Sequence, residues 1–332
     1  MNKSTTLKDI AKELEVSVTT VSKAIHNHPD ISDSRRKQIL SLVKKMQYVP
    51  NSIAQSLRTR KSKFIGLIIS DNTNPYYSML IQGVEREISS RNFYTIIFNN
   101  NEDVDKELGF ISELRSLNVA GIIITPALND EKSVAILRKY HIPFVLANRY
   151  INREEDSYVI ADDIKAAYLV SDYLIKNRSK NLIYINGYEE ISSARDRKQG
   201  YINALQDNKI NILIENIYNG VINQAGGYQI TKDILKRHKL PFSILCYSDY
   251  VASGVIKGLS ENGIKIPEEV AVAGIDNIEL FSFSHPSLTT VDIPKSQIGS
   301  ECVKILFNLM KDRNYKKNRI VFEPKLIIRE SA

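Results

Sequence analysis

Three short segments within the first 48 residues carry hydrophobic positions at helical spacing. In segment 7–14 the apolar residues repeat at intervals of three, four and seven, which predicts a helix with one buried face. Thr6 precedes this segment and Asp9 follows three positions later, an arrangement typical of a helix N-terminus. Ser17 and Ser32 are placed to cap two further helices. Three such helices around one small core predict an all-α domain near the lower size limit for independent folding.

From residue 64 onward, apolar runs of strand length alternate with amphipathic helical stretches. Continuous apolar strands separated by helices are typical of parallel sheets covered on both faces. This region of about 260 residues is larger than one core comfortably holds, so we expect two α/β lobes. The predicted strands are 64–70, 94–98, 120–125, 144–147, 182–186, 243–247 and 270–274.

The outer face of the second predicted helix carries Val18, Thr19, Ser22 and Lys23. These residues are small or able to hydrogen-bond, as a helix that enters a DNA groove roughly 12 Å wide requires. Residues 1–63 hold 13 Lys and Arg against 5 Asp and Glu, a net charge of +8. The whole chain has a net charge of +7, so the excess positive charge lies in this segment. Excess positive charge in the first fifth of the chain favours a polyanionic partner. A helix-turn-helix is the leading interpretation, and a small helical bundle with an incidentally solvated polar face is the alternative.

Composition and motifs exclude several other classes. The chain lacks an apolar run of about 18 residues and a secretory signal, so we expect a cytoplasmic protein that does not span a membrane. Its basic N-terminal region could be attracted to an anionic membrane, but the outer face of the second helix carries no aromatic or Leu anchors for lipid, so we expect no membrane partner. Cys246 and Cys302 form no metal-ligand pattern, and His26 and His28 lack a third nearby ligand. Phosphate-binding glycine loops and nucleophile–base motifs are absent from the sequence. We therefore expect no metal, no cofactor and no enzymatic activity.

A series of motifs runs along the chain: TLKDIAKELEVSVTTVSKAI, YVPNSIAQSLR, ARDRKQGYINAL, VAVAGIDN and SHPSLTTV. In content and order, they resemble the LacI-type family of bacterial transcription repressors. The resemblance covers nearly the full length of the chain. It implies a small all-α helix-turn-helix domain and an α/β two-lobed core with parallel sheets, like that of periplasmic binding proteins.

The resemblance also implies domain boundaries. Residues 1–49 would form the helix-turn-helix DNA-binding domain, and residues 50–63 a hinge helix and linker. Residues 64–332 would form the domain that binds an effector and dimerises. Its N-lobe would comprise about 64–161 plus 293–320, and its C-lobe about 162–290 plus 322–332.

The same resemblance implies roles for individual residues of the headpiece, the predicted helix-turn-helix domain of residues 1–49. Val18 and Thr19 stand at the first base-reading positions of the recognition helix. Lys23 stands where the family usually has Arg, and Lys donates to guanine O6 and N7 as a point charge rather than as a fixed fork. Hydroxyl-bearing residues match positions that the family uses against phosphates, where contacts set register without reading bases. These residues are Thr6, Ser17, Thr20, Ser22 and Ser32.

Segment 51–57 resembles the hinge helix of the family. Asn51, Ala54 and Leu57 match its DNA-facing positions. Leu57 would wedge into the minor groove at the centre of the operator, where an apolar side chain unstacks a base step and kinks the duplex. Packing of Leu57 on the core domain is the alternative.

An effector site is expected in the cleft between the lobes. Tyr76 and Tyr77 belong to a Pro-aromatic-aromatic turn of the family, and Arg197 and Asp276 match a ligand-binding arginine and acid. The other matched positions are Asn148, Arg149, Ser248 and Asp249. An arginine that donates and a carboxylate that accepts suit a polyhydroxyl ligand. An interlobe ion pair without a ligand is the alternative for the charged residues, and core packing for the tyrosines.

Some positions depart from the pattern of the family and limit the prediction of the ligand. Asn148 stands where the family usually has Asp, and Ser248 where it commonly has Asn. Ile222 lies near the place of a stacking aromatic in some members. A sugar is the leading class of effector, and a purine or another small metabolite is the alternative.

The resulting hypothesis is a homodimeric repressor of transcription that binds a pseudopalindromic operator and is allosterically controlled by its effector. A solute-binding protein of transport, without a DNA role, is the alternative class. Such a protein needs export, and the basic N-terminal region argues against it.

Overall fold

The computed structural model describes residues 5–48, 62–128, 130–152, 154–312 and 316–332. These residues fall into two compact units, one within Met1–Lys61 and the other within Ser62–Ala332. The first is helical and the second is α/β, so the fold class predicted from the hydrophobic pattern is confirmed.

The helices of the smaller unit begin at the predicted capping residues. They are α1 (Leu7–Glu13), α2 (Val18–Ile25) and α3 (Asp33–Lys45). Thr6 and Asp9 form a capping box before α1, in which each side chain bonds the backbone of the other residue. The hydroxyl of Ser17 accepts a hydrogen bond from the N–H of Thr20, and that of Ser32 from the N–H of Arg35. Each bond satisfies a donor that the start of a helix leaves without an intrahelical partner.

A small shared core holds these three helices together. Its buried members are Ile10, Ala11, Val21, Ala24 and Ile39. Burial of an Ile or Val side chain contributes roughly 1.5–3 kcal/mol. Helices this short are marginal in isolation, so the shared core stabilises them.

The larger unit contains two parallel sheets that define its lobes. The strands are β1 (Phe64–Ile69), β2 (Tyr94–Asn99), β3 (Gly121–Ile124), β4 (Phe144–Ala147), β5 (Tyr158–Ala161), β6 (Leu182–Ile185), β7 (Ile217–Tyr218), β8 (Phe242–Cys246), β9 (Val270–Ala273), β10 (Thr290–Asp292), β11 (Arg319–Phe322) and β12 (Lys325–Ile327). The N-lobe sheet has the order β11-β5-β4-β3-β1-β2, and the C-lobe sheet has the order β7-β6-β8-β9. Their described pairings are parallel, whereas β10 and β12 form a separate antiparallel pair.

Helices cover both sheets. They are α4 (Pro75–Ser89), α5 (Val104–Ser116), α6 (Lys132–Lys139), α7 (Asp163–Asn177), α8 (Ser192–Asp207), α9 (Gln224–Arg237), α10 (Asp249–Glu261) and α11 (Lys295–Lys311). Strand β1 shows why its sequence is continuously apolar. Ile65 and Leu67 pack into the cluster on one face, and Ile68 packs into the cluster on the other.

The chain passes between the lobes at three places. After β5 it enters α7, which packs on the C-lobe strands β6 and β8. After β10 it enters α11, which packs on α4 and the N-lobe strands β3, β4 and β5. After β11, in the N-lobe sheet, it continues into β12, which pairs with β10.

Helices α4 and α11 approach each other closely enough to exclude side chains between them. A Cβ atom on Gly83 of α4 would lie 1.9 Å from the carbonyl oxygen of Ser296 in α11. A Cβ atom on Gly299 of α11 would lie 2.3 Å from the carbonyl oxygen of Leu80 in α4. The two helices therefore contact each other through their backbones and form a closely packed pair.

Within the described residues, none of the helices combines the length and the apolar character that crossing a membrane requires.

Candidate nucleic-acid interface and ligand cavity

The start of α2 presents the two residues predicted to read bases. Val18 and Thr19 are exposed, and the Val18 side chain is 40% accessible despite being apolar. Ser22 and Lys23, one turn further on, are half-buried. Val21 and Ala24 are buried on the opposite face. The amphipathic pattern thus orients α2 as the sequence predicts, with its small and polar residues outward.

The hydroxyl groups predicted to contact phosphates differ in their local bonds. Ser32 Oγ accepts from the backbone N–H of Arg35, which leaves the hydroxyl proton available for an anion. Ser17 Oγ and Thr20 Oγ1 lie 2.8 Å apart, so one of these two hydroxyl groups donates its proton to the other. Thr6 Oγ1 donates to Asp9 Oδ2 at 2.7 Å, so its hydroxyl proton is already engaged.

Lys23 does not project freely from α2. Its Nζ lies 2.8 Å from Asp30 Oδ2 in the turn that follows the helix. The ammonium group and, next to it, His28 lower the pKa of the Asp30 carboxyl. The hinge residues Asn51, Ala54 and Leu57 lie outside the described residues.

A cavity of about 460 Å³ lies between the lobes of the larger unit. Residues that follow the carboxyl ends of parallel strands line it: Ser70 after β1, Glu102 after β2, Asn148 after β4, Tyr247 after β8 and Asp276 after β9. Ligands bind outside the carboxyl ends of strands in open α/β sheets. The cavity therefore lies at the place where the fold favours ligand binding.

Arg197 forms the charged centre of the C-lobe wall. From α8 its Nε donates to Asp163 Oδ1 at 2.7 Å, and one terminal nitrogen donates to the carbonyl oxygen of Tyr247 at 2.5 Å. The other terminal nitrogen lies 3.3 Å from Asp276 Oδ1. The guanidinium group also lies over the ring of Tyr247, 4.8 Å from its centroid. Arg197 and Asp276 are thus brought together, with Asp163 as a third member. Both Arg197 and Asp276 belong to the C-lobe, so their ion pair does not join the two lobes.

Burial shifts both carboxyl groups beside Arg197 toward their protonated forms. It raises the pKa of Asp163 to about 6 and that of Asp276 to about 7, and Arg197 opposes the shift in each case. The pKa values rise because one guanidinium group cannot offset the desolvation of two neighbouring carboxyl groups. Near neutral pH, Asp276 can accept a hydrogen bond when ionised and donate one when protonated.

The backbone of Asp276 is held in an unusual conformation by Lys295. Asp276 has a φ of 128°, a region that L side chains rarely adopt. The buried ammonium of Lys295, at the start of α11, donates to the carbonyl oxygens of Asp276, Asn277 and Ile293. A residue of the N-lobe helix thus fixes the loop that carries the acid of the C-lobe. No motif or spacing in the sequence indicates this role.

Tyr76 and Tyr77, at the start of α4, form part of the N-lobe wall. Tyr76 donates from its hydroxyl to Asn148 Oδ1 at 2.6 Å, and the Tyr77 hydroxyl lies 2.5 Å from Ser70 Oγ. Burial raises the pKa of Tyr77 to about 12, so its hydroxyl stays protonated. Both rings are almost fully buried, and their centroids are 5.3 Å apart in an edge-to-face contact.

Arg149 is engaged by a partner that the sequence does not reveal. Its two terminal nitrogens donate to the two carboxylate oxygens of Glu102, at 2.8 and 2.7 Å, and one of them also donates to the carbonyl oxygen of Pro126 at 2.9 Å. Glu102 reaches this position from a loop in which Asn101 and Glu102 both have positive φ. The pair lines the cavity as a neutral unit rather than as a lone cation.

Ser248 and Asp249 do not share one role. Ser248 lines the cavity and its hydroxyl caps α10 by accepting from the N–H of Val251. Asp249 lies outside the lining and is fully buried, where it accepts bonds from the Thr290 hydroxyl at 2.5 Å and the Ile278 N–H at 2.8 Å. Its carboxylate thus joins α10 to the segments after β9 and in β10.

Sequence reasoning missed several lining residues, which lie in the loops that follow strands or in the first turn of the next helix. Beyond those already described, these are Asp71, Thr73, Asn74, Ile191, Asn223, Gln224, Ala225 and Tyr250. Their position after parallel strands is the signal that could have identified them, had each strand end been followed into its loop.

Known proteins match the chain in both units. Residues 6–51 match the family described as bacterial regulatory proteins, lacI family, and residues 171–332 match the periplasmic binding protein-like domain. The NTD biosynthesis operon regulator NtdR of Bacillus subtilis is 32% identical over 98% of this chain and 99% of its own length.

Two solved structures share the fold. The lac repressor dimer bound to operator and the anti-inducer ONPF has a TM-score of 0.88 at 22% identity, and the match covers 99% of each chain. A LacI family regulator from Enterococcus faecium with bound ribose has a TM-score of 0.74 at 25% identity, over 81% of this chain and 98% of its own. Together with the sequence matches, the two-unit architecture leads to one conclusion: the chain belongs to the lacI family of bacterial regulatory proteins and is a DNA-binding transcriptional repressor.

Proposed function

We propose that two copies of the chain bind a pseudopalindromic operator and that a small polyhydroxyl effector in the interlobe cavity controls this binding. The observation that carries the effector half is the Arg197–Asp276 pair, buried at the carboxyl ends of the strands. The arginine offers donors, and the acid offers acceptors, to adjacent hydroxyl groups of a ligand. The chain then acts by binding and conformational change, without catalysis.

The charges of the lining residues favour a neutral ligand over an anionic one. The described lining contains three acids, Asp71, Glu102 and Asp276, and two arginines, Arg149 and Arg197. Since Arg149 is already bound by Glu102, and Arg197 by Asp163, neither is available as a full charge for a phosphate. A sugar without a phosphate group fits this balance. The ribose bound to the regulator from Enterococcus faecium supports the same class of ligand.

The DNA half of the proposal rests on α2 and its flanking residues. Val18, Thr19 and Lys23 would contact base edges, while Ser17 and Ser32 would hold phosphates at helix starts. In a symmetric dimer, two such helices would read half-sites about one helical turn apart. The hinge residues Asn51, Ala54 and Leu57 would contact the operator between the half-sites.

A thermal-shift screen tests the effector class. Neutral sugars such as ribose, glucose and cellobiose are compared with glucose 6-phosphate and with the purine bases adenine and hypoxanthine. We expect a neutral sugar to raise the melting temperature of the full chain, because a ligand at 100 times its Kd adds about 2.7 kcal/mol. Stabilisation by a purine base or by the phosphate, with no effect of neutral sugars, would contradict this assignment.

Matched variants locate the binding. Arg197→Ala should abolish the shift, whereas Arg195→Ala, two residues earlier on α8 and outside the lining, should retain it. Asp276→Asn keeps the shape of the acid and should weaken the shift without loss of fold. Equal shifts in all variants would mean that the ligand binds elsewhere.

A further inference from the structure

The loop after the recognition helix contains an acid that faces the base-reading lysine. Asp30 Oδ2 lies 2.8 Å from Lys23 Nζ and 3.3 Å from His28 Nδ1. The Lys23 side chain is 40% exposed and that of Asp30 57%, so the ion pair lies at the surface. An ion pair this exposed adds little to folding stability. Its main effect is on the position of the Lys23 ammonium group.

The turn that carries Asp30, residues 26–31, is fixed in place. Asn27 ends α2 with a φ of 54°, and the N–H of His28 donates to the carbonyl oxygen of Lys23 at 2.9 Å. From α3, Arg36 donates to the carbonyl oxygens of His28 and Ile31 at 3.0 and 2.9 Å. Lys23 is therefore tied to this turn through its backbone and its side chain, and Asp30 is a fixed anchor.

We propose that Asp30 is a specificity-determining residue, which holds the Lys23 ammonium for a base edge and keeps it from the phosphates. The inference rests on the proposed base-reading role of Lys23. A lysine ammonium on its flexible four-carbon stem is a point charge that readily takes a phosphate. Phosphates repel the Asp30 carboxylate, so an ammonium that stays bound to Asp30 is kept away from the DNA backbone.

The chemistry of the pair indicates which base pair it reads. In the major groove, guanine presents O6 and N7 as acceptors and cytosine presents its N4 amino group as a donor. The Lys23 ammonium can donate to the guanine while the Asp30 carboxylate accepts from the cytosine. Adenine and thymine also present a donor beside an acceptor, but only guanine presents two adjacent acceptors on one base edge. A lysine that bridges O6 and N7, next to a carboxylate that accepts from cytosine, therefore favours G·C over A·T at one position of each half-site.

The experiment selects binding sites for the full chain from a randomised duplex library and then measures affinity by fluorescence anisotropy across a salt series. The variants are Asp30→Asn, Lys23→Met and the double variant. Asp33→Asn is the matched control, because it removes the same charge from the same headpiece, at a carboxylate bound to Arg36 rather than to Lys23. Circular dichroism confirms that each variant is folded.

We expect Asp30→Asn to reduce the preference for G·C at one position per half-site by about fivefold or more. The slope of log K against log salt should become steeper by about one per headpiece, because the released lysine contacts a phosphate. Asp33→Asn should leave the base preference unchanged. The double variant should match Lys23→Met, since Asp30 acts through the lysine.

Three outcomes would overturn the proposal. If Asp30→Asn keeps the wild-type base preference while Lys23→Met loses it, Lys23 reads the base without help from Asp30. If Asp33→Asn relaxes the preference equally, the effect is one of net charge. If the wild-type chain selects no sequence at all, the DNA-reading function itself fails, and the proposal with it.

Discussion

Asp276 shows how strongly its surroundings change the acidity of one side chain. Burial raises its pKa to about 7, because desolvation disfavours the ionised carboxylate more than Arg197 stabilises it. In the unfolded chain the same group loses its proton near pH 4. Between these two values the folded protein binds a proton that the unfolded chain has released. The contribution of Asp276 to stability is therefore present at low pH and is lost as the pH rises toward 7.

Asp276→Asn should remove part of this dependence on pH. We expect the urea midpoint of the wild-type protein to fall between pH 5 and pH 8, and to fall less in the variant, because an amide does not titrate. Asp163, Asp249 and Glu107, whose pKa values burial also raises to about 6, contribute to the dependence that the variant keeps. Asp105→Asn, an exposed carboxylate on α5, serves as the control. A variant with the same pH profile as the wild type would show that Asp276 is not desolvated.

The sequence predicts residue identities at the site better than their partners. The resemblance to the lacI family predicts Arg197 and Asp276, and both line the cavity. It could not predict that Arg149 is bound by Glu102, because that contact depends on two separate loops meeting after β2 and β4. The same reason applies to Asp30 and Lys23, whose contact follows from the left-handed turn at Asn27.

At the scale of elements, local sequence patterns predict where helices start and where the central strands lie. Long-range packing determines the short strands. Helix starts at Thr6, Ser17 and Ser32 follow from capping chemistry that acts within three residues. Strands of the sheet centre are recognisable because both of their faces are buried. Short strands such as β7 and β10, of two and three residues, carry too little pattern and are defined by the neighbours with which they pair.

The backbone contact between α4 and α11 yields a prediction. Gly83→Ala should destabilise the core by about 1–3 kcal/mol, because the new methyl group meets a backbone carbonyl that cannot rotate away. Gly109→Ala, on the exposed side of α5 where an added Cβ atom has no neighbour within 4 Å, should instead stabilise it by about 0.5–1 kcal/mol. Urea unfolding measures both. Equal effects of the two substitutions would contradict the close approach of the helices.

The α4–α11 pair also connects the two walls of the cavity. Helix α4 carries Tyr76 and Tyr77 on the N-lobe wall, and α11 begins with Lys295, which holds the Asp276 loop of the C-lobe. A ligand that contacts both walls therefore acts on one packed helix pair.

At the scale of the whole molecule, charge separates two tasks. The basic first fifth of the chain supplies the salt-dependent attraction to DNA, and the larger remainder carries the cavity. If an effector binds in the cavity, as we propose, its binding and that of the operator are linked thermodynamically: if one weakens the binding of the other by some factor, the reverse holds by the same factor.

The most direct test of this account is the affinity of the full chain for its selected DNA sequence, with and without the sugar that stabilises the core. Fluorescence anisotropy with wild type and Asp276→Asn supplies the comparison. We predict that the sugar changes the Kd for DNA of the wild type by about fivefold or more, and that Asp276→Asn shows a smaller change at the same sugar concentration. An unchanged Kd in the wild type, at a sugar concentration that saturates the cavity, would contradict the control of DNA binding by the effector site.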